Sequence, residues 1–354
     1  MSKNHEDSLI IRIWHEVATQ AIAARASDIH IEAGQQQTLV RLRVDGLLQV
    51  QSQFPIDLHE RLITRIKILA RLDIAEKRLP QDGRLLIGYD FTKPDIDCRV
   101  SILPTLYGEK AVVRILPNCI TGLSIDQIGL LPEQLEIIRD ALSQTHGLIL
   151  VTGPTGSGKT RTLYSCLQEL NQSHRNLCSI EDPIEIRLPG VNQVAYHPRA
   201  GLDFSTIIRA LLRQDPDVIM IGEIRDSASA KLAISAAQTG HLVLSTLHTR
   251  DARGVVTRLK SLGVDEESLQ SCLRSVSSQR LIRKRCQECP ENAKCSTCKG
   301  SKRHGRIGVH EVLSSAHLFG SSIKHATLHE AGLEHIKKGL ILPSDLEIEI
   351  GTWH

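Results

Sequence analysis

The sequence predicts an α/β protein with two domains, and three observations support this. A glycine-rich loop at residues 153–158 stands between a short apolar segment and an amphipathic one. After it, apolar segments of strand length alternate with helical segments, which is typical of a parallel sheet with helices on both faces. Residues 1–116 show their own alternation of strand and helix patterns, and 354 residues are enough for two hydrophobic cores.

The N-terminal domain is predicted to span residues 1–116. Apolar residues at helical spacing from Leu9 to Ile22 favour a helix packed on its own domain over one lying on a membrane surface. Asp45-Gly46 predicts a hairpin turn. The other predicted elements are the helix Leu58–Leu72 and the strands Ile29–Glu32, Thr38–Val44, Leu47–Gln51, Arg84–Tyr89, Ile96–Ile102 and Ala111–Leu116. Residues 117–130 are the predicted linker and residues 131–354 the second domain.

The glycine-rich loop is the most informative feature of the second domain. It follows the strand pattern Gly147–Val151 and precedes the helix pattern Thr162–Leu170, which is the context of a P-loop. In a P-loop, backbone N–H groups and the positive end of the new helix face phosphates, the lysine reaches the β- and γ-phosphates, and the next hydroxyl binds Mg²⁺. The sequence therefore predicts an ATP site formed by Gly153, Pro154, Thr155, Gly156, Ser157, Gly158, Lys159 and Thr160.

Composition narrows the possible classes of protein. The apolar runs are shorter than the ~18 residues of a membrane span. The N-terminus lacks a basic segment followed by an apolar one, so a secretory signal is not expected. The formal charge of +3 indicates little about partners, because a nucleic-acid binder would need a local basic patch. We therefore expect a cytoplasmic protein whose cysteines are reduced thiols or metal ligands.

Three apolar segments after the P-loop are followed or flanked by polar residues. They are Leu177–Ile180, Val218–Ile221 and Leu242–Thr246, and the second is Walker B-like, with Glu in place of the usual Asp. Ligands of parallel sheets bind outside the carboxyl ends of the strands. Each polar residue alone could be a helix cap or an ion pair, but their order after a P-loop predicts one site. The polar residues are Glu181, Asp182, Glu185, Glu223, His241 and His248.

Four cysteines form a Cys-x₂-Cys, x₅, Cys-x₂-Cys array, and paired thiolates at this spacing can bind one tetrahedral Zn²⁺. Structural zinc binding is worth roughly 10–16 kcal/mol, whereas a disulfide gives about 2–4 kcal/mol and needs an oxidising compartment. The array therefore predicts a zinc site, with partly vestigial cysteines as the alternative. The cysteines are Cys286, Cys289, Cys295 and Cys298. The remaining five, interpreted as small buried residues, are Cys98, Cys119, Cys166, Cys178 and Cys272.

Basic residues surround the cysteine array. They would offset the net charge of −2 on a zinc ion with four thiolates, and they could instead form a nucleic-acid patch. Few aromatic residues stand among them to stack bases, so direct nucleic-acid binding is not favoured. The basic residues are Arg283, Lys284, Arg285, Lys294, Lys299, Lys302, Arg303 and Arg306.

The motifs together resemble those of the type II secretion and type IV pilus ATPases. The Walker A, aspartate box, Walker B and histidine box of that family resemble, in order, Thr152–Thr160, Ser179–Glu185, Leu212–Asp226 and Thr239–Thr249. The likeness covers nearly the whole chain, since it extends upstream through Ala26–Ile31, Arg41–Gly46, Pro80–Arg84, Asp97–Ser101 and Gly108–Lys110. It implies a hexameric motor with an N-terminal PAS-like α+β domain followed by a RecA-like P-loop ATPase domain, which carries the zinc element.

The resemblance also implies roles for the carboxylates. Glu181 becomes the general base for the attacking water, and Glu223 the carboxylate on the Mg²⁺ side of the site. Asp182 and Glu185 become supporting residues. A carboxylate base beside Mg²⁺ is expected to be anionic at neutral pH, as this role requires.

Two histidines and two arginines receive roles in the same way. His241 and His248 resemble the pair that senses the γ-phosphate or transmits its loss to a neighbouring subunit, with structural histidines as the alternative. Arg84 and Arg99 take the place of arginines that the N-terminal domain supplies to the phosphates. An arginine at the γ-phosphate contributes about 10³–10⁵ in rate; the alternative is an ordinary salt bridge on a strand.

The chain looks most like the competence pseudopilus assembly ATPase of Gram-positive bacteria, the ComGA type. Two features favour this: the four cysteines, which retraction ATPases lack, and the early position of Ser27–His30, which leaves no room for the additional N-terminal domain of longer relatives. The middle cysteine spacer is shorter than is usual in the family. The expected partners are a polytopic platform protein and a peripheral membrane contact. The rivals are a secretion or retraction motor and a nucleic-acid translocase.

Overall fold

A computed structural model of the protein describes residues 3–88, 95–116, 124–289, 295, 297–298, 300–320 and 324–351. The chain divides into two compact units, residues 1–120 and 121–354. Residues 117–123 of the predicted linker, Tyr89 at the end of a predicted strand and Cys119 lie outside the described residues. In the described part of the chain, no helix combines the length and apolarity that crossing a membrane requires.

The first unit contains a six-stranded sheet with the order β3-β2-β1-β6-β5-β4, in which every neighbouring pair is antiparallel. All strands expected from the sequence are present. The elements are α1 (Lys3–Ala23), β1 (Asp28–Ala33), β2 (Gln37–Val44), β3 (Leu47–Pro55), α2 (His59–Leu69), β4 (Gln81–Ile87), β5 (Ile96–Thr105) and β6 (Gly108–Ile115). The likeness of this unit to a PAS domain stays a prediction.

A tight turn and a shared hydrophobic core define the local structure of the first unit. The turn between β2 and β3 has positive φ at both Asp45 (48°) and Gly46 (89°), as a tight two-residue hairpin turn requires. Alternate residues of β1 and β2 point into the core, so that Ile29 and Ile31 are fully buried. Helix α1 buries its apolar side against the same core, Trp14 included. The prediction that this helix packs on its own domain is thus confirmed.

The second unit contains a seven-stranded sheet with the order β13-β12-β7-β11-β10-β8-β9. Its strands pair in parallel except for β12 and β13, which form a hairpin. The elements are α3 (Pro132–Leu142), β7 (Gly147–Thr152), α4 (Lys159–Leu170), β8 (Leu177–Glu181), β9 (Val191–Ala195), α5 (Phe204–Leu211), β10 (Val218–Ile221), α6 (Ser227–Gln238), β11 (Leu242–Leu247), α7 (Gly254–Ser261), α8 (Glu266–Cys272), β12 (Leu273–Arg285), β13 (Arg303–Ser314), α9 (Ser315–Phe319), α10 (Leu328–Lys337) and α11 (Pro343–Ile350).

The parallel strands of this unit form the expected α/β sheet. Every residue of β7, β8, β10 and β11 is buried, which is typical of strands covered on both sides. Because these strands run in the same direction, their carboxyl ends meet at one sheet edge, and the segments after β7, β8, β10 and β11 lie there together. The prediction of an α/β fold with a parallel sheet is confirmed.

Candidate nucleotide-binding site and cysteine cluster

The glycine-rich loop connects β7 to α4 as predicted. Gly153, Gly156 and Gly158 have φ values of 145°, 80° and 90°, in the region that side chains disfavour. A Cβ at Gly153 would also lie 2.5 Å from the carbonyl oxygen of Gln279. Helix α4 begins at Lys159, so its unpaired N–H groups and the positive end of its dipole face the loop. The loop therefore has the geometry of an anion site, and the predicted ATP-binding residues Gly153–Thr160 lie in it and in the first turn of α4.

The P-loop lysine contacts its own loop. Lys159 Nζ donates to the carbonyl oxygens of Gly153 at 2.9 Å and Pro154 at 3.0 Å. Burial lowers the pKa of Lys159; the negative charge of Glu223 acts to raise it, and the positive charge of Arg280 lowers it. Glu223 and Arg280 are thus electrostatic neighbours of Lys159.

Glu181, the last residue of β8, has a buried carboxylate that is 3% exposed. Tyr164 donates its hydroxyl hydrogen to Oε2. Ser179 Oγ donates to Oε1 at 2.6 Å, and Gln193 Nε2 donates to the same oxygen at 2.9 Å. Both carboxylate oxygens are therefore hydrogen-bonded within the chain, and the residue fastens β8 to α4 and β9.

An ion-pair network connects the loops after β8, β10 and β11. Arg225 contacts the carboxylate of Glu223 and lies 3.2 Å from Asp182 Oδ2. His248 Nε2 lies 3.5 Å from Glu223 Oε2. The structure thus brings three of the predicted residues together around Arg225, for which the sequence had suggested no role. Glu185, the remaining supporting residue, is exposed at its side chain, and its backbone N–H donates to Tyr164 Oη at 3.3 Å.

His241 lies apart from these residues. It immediately precedes β11, where its carbonyl oxygen accepts a hydrogen bond from the N–H of Gly147 at the start of β7. Its Nδ1 lies 3.1 Å from the carbonyl oxygen of Ala236. His248 follows the other end of the six-residue strand, and at ~3.3 Å per residue over seven steps the two histidines are about 23 Å apart. Only His248 is at the edge that carries the P-loop.

Arg84 and Arg99 are in the first unit. They are directly opposite each other on the antiparallel strands β4 and β5. Arg84 Nη1 lies 3.9 Å from Asp97 Oδ2, and its side chain is more than half exposed. The two predicted arginines are thus neighbours on adjacent strands of the sheet. Their action on a nucleotide stays a prediction.

Sequence reasoning missed Gln279 and Arg280 in the middle of β12. Gln279 is buried and bonded to the P-loop: its Nε2 donates to Ser157 O at 2.6 Å. Arg280 Nη2 donates to Arg250 O at 2.9 Å, in the segment that follows His248. Burial lowers the pKa of Arg280. No motif signals either residue, because their roles depend on the pairing of β12 with β7.

The four predicted cysteines converge at the end of the β12–β13 hairpin. The Sγ atoms of Cys286 and Cys295 are 3.8 Å apart, and those of Cys289 and Cys298 are 3.7 Å apart. A disulfide would need about 2.05 Å, whereas sulfurs ~2.3 Å from a tetrahedral zinc are about 3.8 Å from one another. Cys286, Cys295 and Cys298 have sulfurs within 4.8 Å of one another. The donor set and its spacing fit a zinc ion.

The charges near the cluster are partly paired. Arg283 and Arg303 both contact Asp345, which is 1% exposed. Burial acts to raise the pKa of the Cys298 thiol, but hydrogen bonds, chiefly from the backbone at Gly300, lower it to about 7. Lys294 and Lys299 of the predicted basic set lie outside the described residues. Two of the basic side chains thus have their charge paired with a buried carboxylate.

Comparison with known proteins places these features in a family. Residues 3–340 match the family model described as "Type II/IV secretion system protein". The "Protein transport protein HofB homolog" of Haemophilus influenzae is 44% identical over 99% of this chain and 75% of its own length. The "Type IV pilus assembly ATPase PilB" of Pseudomonas aeruginosa is 43% identical over 89% of this chain and 60% of its own length.

A solved structure agrees with the sequence comparisons. The structure described as the pilus retraction motor PilT with bound ADP superposes with a TM-score of 0.64 at 26% identity, over 94% of this chain and 95% of that one. The prediction that the chain is an ATPase is confirmed by these relatives. On the family match and the relatives, the chain belongs to the type II/IV secretion system ATPase family.

Proposed function

We propose that this chain is an ATP-hydrolysing motor that drives assembly of a type IV pilus-like filament. The observation that best supports the proposal is the convergence, at one sheet edge, of the P-loop with Glu223 and His248. A phosphate-binding loop beside a carboxylate and a titratable side chain is the arrangement that can couple hydrolysis to movement of the loops.

Mg²⁺ is the metal that this site would hold. The Thr160 hydroxyl and the Glu223 carboxylate offer oxygen ligands, which magnesium prefers together with phosphate oxygens. When bound, the ion neutralises charge on the phosphates. Thr160 is half-buried in the first turn of α4, and Glu223 is partly exposed after β10, so each is accessible to a nucleotide on the loop.

The chain's own residues supply binding and proton transfer in this proposal. The N–H groups of the P-loop hold the phosphates, and Lys159 exchanges the carbonyl oxygens of Gly153 and Pro154 for phosphate oxygens. Glu181 is the proposed general base. Its carboxylate would have to accept the water in place of one of its present donors, and hydrogen bonds in sites without substrate often rearrange in this way.

A homohexamer is part of the proposal. Arg84 and Arg99 would then supply positive charge to the phosphates from the first unit. The position of His241, at the sheet edge far from the P-loop, does not favour direct contact with the same chain's nucleotide and is compatible with a role in transmitting the nucleotide state. His248, beside Glu223, is the proposed γ-phosphate sensor.

We propose that the cysteine cluster binds a zinc ion, with Cys286, Cys289, Cys295 and Cys298 as its ligands. The sulfur spacing supports it. Bound there, zinc would supply a structural cross-link at the end of the β12–β13 hairpin, not a reactive centre.

The narrower proposal is the competence pseudopilus of the ComGA type, which serves DNA uptake. It rests on the resemblance and on the cysteine cluster. A polytopic platform protein at the cytoplasmic face of the membrane is the proposed partner, so the location would be cytoplasmic with peripheral membrane contact. We do not expect direct nucleic-acid binding, because Arg283 and Arg303 are paired with Asp345.

Two rivals predict different results. A secretion or retraction motor shares the site and differs in output. A nucleic-acid translocase would be stimulated by DNA or RNA, whereas the proposed motor would be stimulated by its platform protein.

The test is deletion of the gene in its native host, with complementation by the native or the Lys159→Ala chain, while filaments are counted and DNA uptake is scored. Loss of both, restored by the native chain alone, supports the proposal. Persistent or more abundant filaments would favour retraction or another machine.

A further inference from the structure

We propose that Gln279 is a positioning residue that holds the P-loop in its phosphate-binding conformation. This inference rests on the proposed function, since it concerns how the same loop is kept ready for ATP. Gln279 lies in β12, next to Ser278, which pairs in parallel with Thr152 at the end of β7. The P-loop begins at Gly153, the residue after Thr152, so Gln279, the residue after Ser278, lies beside the start of the loop.

The two ends of the Gln279 amide bond to two different parts of the site. Nε2 donates to the carbonyl oxygen of Ser157 at 2.6 Å, and Oε1 accepts from Thr162 Oγ1 at 2.8 Å. Ser157 is in the loop and Thr162 is in the first turn of α4. The side chain therefore joins the loop to the helix whose N-terminus faces the phosphates.

Gln279 also contacts the first and last glycines of the loop. Its carbonyl oxygen approaches Gly153 so closely that a Cβ there would lie at 2.5 Å, and its Nε2 would lie 3.2 Å from a Cβ at Gly158. Both glycines have positive φ. The glycines thus permit the close approach of β12, and β12 in turn restricts the loop at both ends.

The side chain of Gln279 is 2% exposed, so water cannot replace these hydrogen bonds. Without the amide, the Ser157 carbonyl and the Thr162 hydroxyl lose partners at buried positions, and the loop gains alternative conformations. A loop that occupies its binding conformation only part of the time binds with an affinity reduced by that fraction. The expected consequence is weaker ATP binding.

The chain offers a matched control. Gln134 in α3 is a second buried glutamine of the same unit, 4% exposed, whose Nε2 donates to a backbone carbonyl oxygen, that of His310, at 2.6 Å. Its hydrogen bonds within the described part of the chain go to Leu131 and His310, which are outside the P-loop. Replacing either glutamine by leucine removes the same chemistry, so the two variants separate a general loss of stability from an effect on the loop.

The experiment measures the Kd of the purified full chain for ATP with Mg²⁺ by calorimetry, well below the melting temperature of each variant. Gln279→Leu and the similarly long, uncharged Gln279→Met, which cannot donate to Ser157 O, are expected to weaken binding about tenfold, which corresponds to 1.4 kcal/mol. Gln134→Leu is expected to lower the melting temperature and keep the Kd within about twofold. Since the Met variant keeps the length of the side chain and adds no charge, it decides the question if the Leu variant does not fold.

Two results would overturn the inference. One is a Kd for Gln279→Met within twofold of the unsubstituted chain; the other is an equal loss of affinity in Gln134→Leu. Failure of the proposed function looks different: the unsubstituted chain would then bind ATP no better than Lys159→Ala does.

Discussion

Tyr164, on the helix that follows the P-loop, donates its hydroxyl hydrogen bond to the carboxylate of Glu181 at the end of the neighbouring strand β8. Both side chains are buried. Burial and the negative charge of Glu181 raise the pKa of Tyr164, so the tyrosine stays a neutral donor across the physiological range. The contact makes the position of α4 dependent on the segment that carries the proposed general base.

Removal of this hydroxyl is predicted to destabilise the second unit. Among the residues that the structure describes, Tyr164→Phe leaves the buried Glu181 with Ser179 and Gln193 as donors. A hydrogen bond to a charged group contributes about 1.5–3 kcal/mol, and the free energy of unfolding, measured in urea, should fall by that amount. Tyr107→Phe, at an exposed tyrosine of the first unit, is the control. An unchanged unfolding free energy in Tyr164→Phe would contradict the prediction.

Glu181→Gln is predicted to keep ATP binding and to lose hydrolysis. The amide preserves the shape of the side chain but cannot take a proton from water, so the rate should fall by about 10²–10⁴. Binding and turnover are measured on the same preparation, with the exposed Glu133→Gln as control. Hydrolysis at the native rate in Glu181→Gln would mean that the base lies elsewhere, and it would leave Glu181 as the residue that fastens β8 to α4.

The cysteine cluster is predicted to hold about one zinc ion per chain. Cys286→Ser should release the metal, as determined by elemental analysis of the purified protein, and lower the melting temperature. Cys166→Ala, at a buried cysteine of α4 outside the cluster, should retain the metal. The same metal content in Cys286→Ser as in the unsubstituted chain would refute the four-cysteine site.

Stability is predicted to fall as the pH is lowered from about 6.5 to 4. Burial lowers the pKa of His310 to about 4, so below the unfolded value of about 6.5 the unfolded chain binds a proton that the folded chain does not. The stabilisation is complete above pH 6.5 and about 2 kcal/mol is lost by pH 5. His310→Gln should flatten this part of the stability curve, whereas His174→Gln, at an exposed histidine, should not. A curve of unaltered slope in His310→Gln would count against the assignment.

The elements that the sequence predicted have local causes. Helix α4 and strand β7 can be recognised because the glycine-rich segment between them has the P-loop pattern, and β10 is an uninterrupted apolar run. The β12–β13 hairpin was not predicted, because β12 places polar residues such as Ser277, Ser278 and Gln279 at buried positions. Their partners come from distant segments, and no local pattern reveals them.

In the candidate site, too, features that are local in the sequence could be predicted, and those that depend on distant segments could not. The glycine-rich loop is contiguous in sequence, so its place between β7 and α4 could be predicted. The two histidines flank one motif in the sequence, yet the six residues of β11 lie between them and place them at opposite ends of that strand. Arg225 was visible in the Walker B segment, but its contact with Asp182 depends on the parallel pairing of β8 with β10.

The most direct test of the ATP-driven motor is the rate at which the purified full chain releases phosphate from ATP in the presence of Mg²⁺. Lys159 is the cation that the P-loop presents, and Lys159→Ala should weaken phosphate binding and transition-state stabilisation together. Lys260→Ala, at an exposed lysine of the same unit that pairs with Glu266, is the control. Turnover in the native chain and in Lys260→Ala, with its abolition in Lys159→Ala, is the predicted result. Normal turnover in Lys159→Ala would contradict the nucleotide site.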